Sequence, residues 1–384
     1  MNHILLQKVA RYTAQSKHLM NDIDYSFFVW KDDKGFKTND DYAQIYDRFP
    51  WIDMRYNAFD WQQGVGFYGL VCAANVLQDE NLFQAVRHWV DERLMEGLPS
   101  KNVNTTVPFL CMLALHKRYH IPKYESLCAK HADFLMTQAK RTVDGGFEHT
   151  VIGINQVFHR QIWADTMFMT GVYLALWGKH INNDMYQHEA CRQLLVHYRH
   201  LRDSETGLLF HAYDGTNKSH LSGIHWGRAN GWGVLSCAIV ANALNNSMAK
   251  EKNWVLTVLS NHLSALFAVQ QPNGGFANVL DQPQSKTETS VACAVFAACN
   301  IAKNHLHFLQ SKKIQALAKH LKGSVDEQGF VSNASCGTPV MTTATQYEGI
   351  TRGASYCAQG LMLLALIEDD LFAFNLENTR KSCN

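Results

Sequence analysis

Six segments of the chain are apolar on nearly every side, which is typical of helices buried inside a protein. Six amphipathic segments, with Lys, Arg, Glu and Gln on one face, alternate with them. The apolar segments are residues 67–77, 107–116, 166–177, 233–244, 290–302 and 357–367. The amphipathic segments are residues 3–20, 81–96, 123–140, 185–201, 252–270 and 311–322. The pattern predicts six inner helices that alternate with six outer helices.

The apolar segments recur at a nearly constant interval. Four of the five intervals between their first residues are 57 to 67 residues long, which indicates repeated helical hairpins. A short glycine-aromatic element also recurs after four outer segments, at residues 145–147, 207–210, 274–276 and 329–330. An open helical-repeat array would expose apolar helices at its ends, so we favour a closed ring. We therefore predict an all-α fold, an (α/α)6 barrel of six helical hairpins, as one domain over residues 1–384.

Composition and charge limit the kinds of molecule that the protein is expected to bind. The chain is 47% hydrophobic and 18% charged with a formal net charge of +1, so no global field would attract nucleic acid or an anionic membrane. No stretch reaches the roughly 18 apolar residues of a membrane span, and the N-terminal segment has no apolar run of signal-peptide length. The ten cysteines form no CxxC pair. We expect reduced cysteines, a cytoplasmic protein, and no nucleic-acid or membrane partner.

Nucleotide and metal motifs are missing from the sequence. No GxxxxGK(S/T) or GxGxxG motif supports nucleotide binding. No HExxH motif or paired-cysteine cluster is present, and the nineteen histidines lie mostly apart along the chain. We therefore expect no metal site and no cofactor.

Polar and aromatic residues crowd the segments that lead into the inner helices, so one end of the barrel is the expected site. Trp61 lies in the first of these segments and Asn104 in the second. Indoles stack on sugar faces, amides and imidazoles bond hydroxyl groups, and a guanidinium grips a carboxylate. This combination of side chains suits a sugar acid. The segments are residues 60–63, 102–105, 159–165, 225–232 and 286–289.

Asp165 lies between Trp163 and a long apolar helix, and two interpretations are open. An aspartate at a helix start commonly caps the helix, a contribution of about 1 kcal/mol. The positive end of a helix also lowers a carboxyl pKa, which opposes a role as general acid. Desolvation by Trp163 and Phe168 would act in the opposite direction and raise that pKa. An apolar wall is thus part of the general-acid hypothesis.

Two indoles flank an arginine in the run from His225 to Trp232. Gly227 and Gly231 would let the backbone approach a ligand, so we favour ligand contact for Trp226, Arg228 and Trp232. The alternative is a buried loop in which the tryptophans fill core and Arg228 pairs with a structural acid.

Three further residues each have two interpretations. His149 and His211 are either sugar-hydroxyl partners or satisfied core histidines. Glu288 either caps the helix after it or touches substrate.

Three motifs carry a family resemblance: Trp163 to Met169, Trp226 to Trp232, and Gly275–Phe276 through Glu288 to Ser290. With the helix at residues 359–366, they span roughly residues 60–367 and resemble glycoside hydrolase family 105, the unsaturated rhamnogalacturonyl hydrolases. The related family 88 contains unsaturated glucuronyl hydrolases. The resemblance implies an (α/α)6 barrel that hydrates the C4=C5 double bond of an unsaturated uronic acid and releases the aglycone. The substrate would be a small lyase-generated oligosaccharide, most closely an unsaturated rhamnogalacturonan disaccharide from pectin.

The resemblance also implies roles for single residues. Asp165 matches the catalytic aspartate, while four residues match positions that line the sugar-acid pocket. Two departures stand out: Ala229 replaces a common glycine, and Asn104 is the nearest match to a second aspartate of the related family. The pocket positions are His211, Trp226, Arg228 and Trp232, and to them we add Trp61, Asn104, His149 and Trp163 as candidate substrate contacts.

Two other functions fit the same barrel. One is a sugar epimerase that transfers protons with a histidine pair such as His149 and His211. The other is a noncatalytic sugar-binding barrel. The hydrolase bleaches the conjugated double bond, the epimerase changes only stereochemistry, and the binder does neither.

Overall fold

The helices alternate between an inner and an outer ring along the chain. The computed structural model describes residues 3–17, 30–32, 35–37, 56–151, 158–306, 311–353 and 355–367. The inner helices are α2 (Trp61–Leu77), α4 (Pro108–Tyr119), α6 (Tyr173–His180, preceded by a π-helical stretch Met167–Val172), α8 (Gly227–Ala243), α10 (Thr289–Ile301) and α13 (Tyr356–Leu366). The outer helices are α1 (His3–Gln15), α3 (Glu80–Glu96), α5 (Pro122–Thr137), α7 (Asp184–Leu201), α9 (Ala249–Ala268) and α11 (Ser311–Gly323).

The inner ring closes on itself. Each inner helix contacts the next one around the ring, and α13 packs against α2 to complete it. Helix α1 packs on α13 and α2, so the first helix of the chain supplies the outer helix of the last hairpin. This closure confirms the (α/α)6 barrel and excludes the open array. The assignment of residues 1–384 to one domain stays a prediction.

Small residues allow the closing helices to approach each other. A Cβ added at Gly69 of α2 would lie 2.5 Å from the carbonyl oxygen of Gly360 in α13, and one at Gly360 would lie 2.2 Å from that of Val65. Neither site has room for a side chain, because backbone faces backbone across this contact. The sequence Gln359–Gly360–Leu361 thus contributes to closure as well as to the apolar pattern.

Two inner helices begin six residues before the predicted start. Helix α2 begins at Trp61 and α8 at Gly227, because buried polar residues in the first turns interrupt the apolar pattern without interrupting the helix. Asn230 shows how: its Oδ1 accepts from the Leu209 backbone N–H at 2.7 Å, and its Nδ2 donates to the Leu209 carbonyl at 2.9 Å. Such paired amides are buried at little cost.

The recurring glycine-aromatic elements are tight turns that follow outer helices. Gly145, Gly207, Gly274 and Gly329 have φ values of +82°, +76°, +85° and +104°, a region that other L-residues rarely adopt. Single antiparallel bridges flank the turns at Gly145, Gly207 and Gly329, as between Arg141 and Phe147. The recurring glycine-aromatic element of the sequence therefore corresponds to a turn that the fold repeats after four outer helices.

Short strands and one short helix complete the described structure. Strands β1 (Trp30–Asp32) and β2 (Gly35–Lys37) pair antiparallel. Strands β3 (Gln161–Trp163), β4 (Ala212–Asp214) and β5 (Ser219–His220) form a three-stranded sheet. Helix α12 (Ala344–Glu348) begins with a capping box between Thr343 and Gln346. Within the described ranges, no helix combines the length and hydrophobicity needed to cross a bilayer.

Candidate active site

The predicted site residues gather where the inner helices begin, an end of the barrel that we call the mouth. Trp61 opens α2, and a 3-10 turn at Asn104–Thr106 leads into α4. Asp165 precedes the π-helical stretch before α6, and Arg228 lies in the first turn of α8. The chain therefore brings residues more than 100 positions apart into one region.

The small sheet places Asp165 against His211. Trp163 of β3 pairs with Ala212 of β4, and the Ala164 N–H donates to the His211 carbonyl at 3.0 Å. The next residue, Asp165, thereby brings its Oδ2 to 3.2 Å from the His211 Nε2. No capping hydrogen bond from a side chain is present at this helix start, so the capping interpretation of Asp165 is not what the structure shows.

Tyr347 completes a hydrogen-bonded series with these two residues. Its hydroxyl lies 2.7 Å from the His211 Nδ1. A hydroxyl that donates to Nδ1 leaves the imidazole proton on Nε2, where it points at the Asp165 carboxylate. We assign this tautomer from the network. His211 itself is fully buried. The hydrogen bonds from Tyr347 to His211 and from His211 to Asp165 therefore orient the carboxylate from the protein interior.

Aromatic rings form the wall around Asp165. The His149 ring stacks on the Trp163 indole with centroids 4.1 Å apart and an interplanar angle of 1°. Nδ1 of His149 lies 3.2 Å from the Thr166 hydroxyl. Trp226 covers the other side of His211 at 4.2 Å between centroids. Asp165 is only 8% exposed, as the general-acid hypothesis requires.

The pKa of Asp165 nevertheless lies below its ordinary value. Burial raises the pKa, but the hydrogen bond and charge of His211, together with His149 and Arg228, lower it by more. In the free site these contributions outweigh the desolvation on which the general-acid hypothesis depends. Burial also lowers the pKa of His149 to about 4 and that of His211 below its ordinary value, so both imidazoles are neutral at neutral pH.

Arg228 has different partners from those expected of a substrate clamp. Its two terminal nitrogens make five hydrogen bonds, to Ser290, Ser335, Cys336 and Thr338. Glu288 lies 3.7 Å away, and the Arg228 side chain is 1% exposed. Both ends of the guanidinium fork are thus occupied by protein oxygens. Arg228 holds residues 335–338 in place, and its charge acts on Asp165 from a distance.

The glycines next to Arg228 serve helix packing. A Cβ at Gly227 would lie 2.7 Å from the Ala277 carbonyl oxygen, and one at Gly231 would lie 3.0 Å from the Ala294 Cβ. These contacts lie within the protein, so the expected close approach of backbone to ligand is not what the glycines provide. The run from Gly227 to Trp232 belongs to α8 rather than to a loop.

The predicted tryptophans differ in how much surface they present. Trp163, Trp226 and Trp232 are buried, whereas Trp61 is half-buried. Trp61 meets Trp232 edge to face, with centroids 6.3 Å apart. The indole N–H groups of Trp226 and Trp232 have no protein partner among the described residues. Of these four tryptophans, Trp61 therefore presents the most surface to a ligand.

Asn104 lies beside this region with a free amide. Its backbone N–H bonds the Thr150 carbonyl, next to His149, at 3.4 Å. No hydrogen bond from its side chain to another described residue is present. Asn104 is nearly buried. Because its side-chain amide has no protein partner there, its hydrogen-bonding groups are available to a ligand.

Other buried carboxylates at the mouth have structural tasks. Asp60 accepts from the Trp61 backbone N–H at 2.7 Å and caps α2. Glu288 accepts from the Val291 N–H at 3.0 Å and caps α10, so its capping interpretation holds. Glu148 lies 3.2 Å from His159. Among the described residues, Asp165 is thus the mouth carboxylate without such a task.

The histidine pair does not suit an epimerase. Both ring nitrogens of His211 are engaged, with Tyr347 and with Asp165. An epimerase needs a free nitrogen that reaches the substrate carbon, and the buried His211 has none to offer.

Tyr347 was missed by the sequence analysis. It lies in the 32-residue connection between α11 and α13, residues 324–355, where no periodic pattern predicts structure. The length of this connection was the available signal, since long ordered loops in compact domains are commonly functional.

Comparisons with known proteins agree with this architecture. The model of Glycosyl Hydrolase Family 88 matches residues 37–370. The unsaturated rhamnogalacturonyl hydrolase YesR of Bacillus subtilis is 33% identical over 314 residues, which cover 81% of this chain and 89% of that protein.

Solved structures show the same fold. A possible member of family GH105 from Klebsiella pneumoniae has a TM-score of 0.81 at 25% identity, and the match covers 97% of this chain and 93% of that one. The unsaturated glucuronyl hydrolase of Bacillus sp. GL1 has a TM-score of 0.65 at 16% identity, over 97% of this chain and 95% of that one. The chain belongs to glycosyl hydrolase family 88 and is a glycoside hydrolase.

Proposed function

We propose that this enzyme hydrates the C4=C5 double bond of an unsaturated uronic acid at the non-reducing end of a small oligosaccharide. The observation that carries the proposal is Asp165, a buried carboxylate at the mouth that is held by His211 and walled by Trp163. A single carboxyl group suffices for this chemistry. Direct glycoside hydrolysis uses two carboxyl groups that flank the bond, about 5 to 9.5 Å apart.

Asp165 acts first as acid and then as base in the proposed reaction. Its carboxyl proton is transferred to C4, the electron pair of the double bond forms the new C–H bond, and positive charge develops at C5 and the ring oxygen. Water then adds at C5 and returns a proton to the Asp165 carboxylate. The resulting hemiketal opens to a C5 ketone, and the hemiacetal at C1 expels the aglycone.

The substrate carboxylate supplies the charge that the acid role requires. In the free site the pKa of Asp165 is held low by His211, His149 and Arg228. An anionic uronate placed beside Asp165 opposes these contributions and raises that pKa. Binding of the uronate thus promotes protonation of the acid that attacks its double bond. A neutral analogue without the carboxylate should bind without this effect.

The neutral state of His211 supports the same division of roles. The His211 Nδ1 accepts a hydrogen bond from the Tyr347 hydroxyl, and its Nε2–H donates one to the Asp165 carboxylate. His211 therefore stabilises the carboxylate that forms after proton transfer. His149 keeps Trp163 in place through their stacked rings. Trp61 and Asn104 are the proposed sugar contacts. Part of the Trp61 side chain is exposed, and the Asn104 side chain makes no hydrogen bond to another described residue.

We propose unsaturated rhamnogalacturonan disaccharides as the preferred substrate class, supported by the identity to YesR. The test is a panel of lyase-generated disaccharides, with rhamnogalacturonan, glucuronyl and ulvan-type members, followed by loss of ultraviolet absorbance of the double bond. The proposal expects the highest kcat/KM for the rhamnogalacturonan member. Activity on no member of the panel would refute the hydration function, whereas preference for another member would refute only the substrate class.

We also propose that the enzyme works in the cytoplasm. Nine cysteines in the described ranges are free and buried, which fits a reducing compartment. Cell fractionation tests this: the activity should accompany a cytoplasmic marker.

A further inference from the structure

Three metal-ligand side chains meet at the end of the barrel opposite the mouth, which we call the base. His116 lies in the last turn of α4, Glu125 in the first turn of α5, and His180 ends α6. Their ligand atoms lie within 4.8 Å of one another. The sequence analysis expected no such cluster, because these residues are 9 and 55 positions apart along the chain. The fold brings them together.

The distances suit one small ion. Glu125 Oε1 lies 3.3 Å from His180 Nε2 and 3.7 Å from His116 Nε2. Tetrahedral zinc with bonds of about 2.0–2.1 Å separates neighbouring ligand atoms by about 3.3–3.4 Å. Both carboxylate–imidazole distances are thus close to those of a zinc site, and all three ligand atoms lie within 4.8 Å of one another.

The tautomer of His116 is set for ligation. Its Nδ1 lies 2.9 Å from the Ile121 carbonyl oxygen. Because a carbonyl only accepts, Nδ1 carries the proton and Nε2 presents its lone pair to the cluster. A backbone carbonyl that orients the second nitrogen of a histidine is the usual support of a zinc-ligating imidazole.

The donor set and its surroundings favour zinc over hard cations. Two imidazoles and one carboxylate suit zinc, whereas magnesium and calcium prefer oxygen ligands. Lys117 follows His116 and lies close enough to His180 to act on it electrostatically. That positive charge opposes the binding of any cation, so the affinity of this site must come from the bonds to the two imidazole nitrogens.

We propose that His116, Glu125 and His180 bind one Zn²⁺ at the base, where it joins the second hairpin to the third. Water completes the tetrahedron. The residues Met167 to His180 put about 20 Å between this site and Asp165, at 1.5 Å per residue. The zinc is therefore structural and does not take part in the proposed hydration.

Zinc binding to the full-length enzyme tests the proposal. Chelator-treated protein is dialysed against a small excess of zinc chloride, and bound zinc is measured by mass spectrometry. We expect wild type to hold one equivalent more than His180→Gln and Glu125→Gln, and zinc to raise the Tm of wild type only. The Glu125 side chain is 46% exposed, so its variant should fold even if His180→Gln does not.

The control is His88→Gln, which removes an exposed imidazole 2.9 Å from Glu92. This variant should keep the wild-type zinc content. Equal zinc in wild type, His180→Gln and Glu125→Gln would overturn the proposal, and so would loss of zinc from His88→Gln. Hydrolase activity on the unsaturated disaccharide reports folding, because the mouth is remote from the base.

Discussion

Asp165 and Arg228 are two buried charges at the same mouth with opposite kinds of surroundings. Asp165 makes one side-chain hydrogen bond, to His211. Arg228 makes five and has Glu288 nearby. Both terminal nitrogens of Arg228 are taken up by protein oxygens, and only its Nε lacks a hydrogen-bond partner among the described residues. A buried charge held by many protein partners contributes structure, whereas one with most of its hydrogen-bonding capacity unused is available for chemistry. Sequence motifs alone placed both residues in the substrate pocket, and the contacts separate them.

Asp165→Asn should have the largest effect on activity. The amide keeps the shape but has no transferable proton, and general acid-base catalysis contributes about 10² to 10⁴-fold. Because the described part of the mouth has no second carboxylate without a structural task, we expect kcat to fall by about 10⁴-fold, near 5.5 kcal/mol, while Tm hardly changes. Steady-state kinetics and thermal unfolding measure both.

The matched control is Asp60→Asn, at the carboxylate that caps α2. Asparagine caps about as well as aspartate, so this variant should keep its activity. If Asp165→Asn retains more than about a tenth of the wild-type kcat, or unfolds the barrel, the assignment of Asp165 as acid is wrong.

Arg228→Lys should lose mainly stability. Lysine keeps the charge but cannot reproduce the guanidinium fork toward Ser335 and Thr338. Disrupting a buried charged network costs about 3 to 5 kcal/mol. We expect this decrease in the free energy of unfolding, measured with denaturant, at a KM close to that of wild type. A wild-type Tm with a raised KM would instead make Arg228 a substrate ligand.

His211→Ala should slow the reaction and move its pH profile. We expect kcat to fall by about 10²-fold, because the carboxylate loses its orienting partner. Burial still raises the pKa of Asp165, while the two lowering contributions from His211 disappear. The limb on which kcat/KM falls with rising pH should therefore shift to higher pH. An unmoved limb would exclude contact between His211 and the acid.

Tyr347→Phe should have the smallest effect of these four. It removes the hydrogen bond to His211, worth about 0.5–1.5 kcal/mol, so kcat should fall by up to about tenfold. It also removes the hydroxyl's hydrogen bonds with the Met341 N–H and Ser222, which affect stability. The pH profile of kcat is the readout, because a purely structural tyrosine would change Tm and leave the profile in place. Tyr347→His should not restore the wild-type pH profile of kcat.

The fold was predictable because its signal is periodic. Apolar inner segments and amphipathic outer segments report burial directly. The starts of α2 and α8 were predicted six residues too late, since buried polar residues such as Asn230 look exposed in a sequence, and α1 ends at Gln15, before its predicted end. The candidate site was predictable in position, because its residues lie on the lead-ins to the inner helices. The hydrogen-bond partners of the site residues were not predictable, because the hydrogen bonds between Arg228 and Ser335 and between Tyr347 and His211 span 107 and 136 positions of the sequence.

The central claim is that Asp165 protonates C4, and deuterium transfer tests it most directly. Turnover in heavy water should place one deuterium at C4 of the opened product, with loss of the double-bond absorbance at the same rate. Because C4 lies beside a ketone in that product, early time points are compared with product made in light water and held in heavy water for the same time. Deuterium at C4 above this control, absent with Asp165→Asn, is the predicted result. Cleavage of the glycosidic bond with the double bond intact, and no early deuterium at C4, would contradict the account.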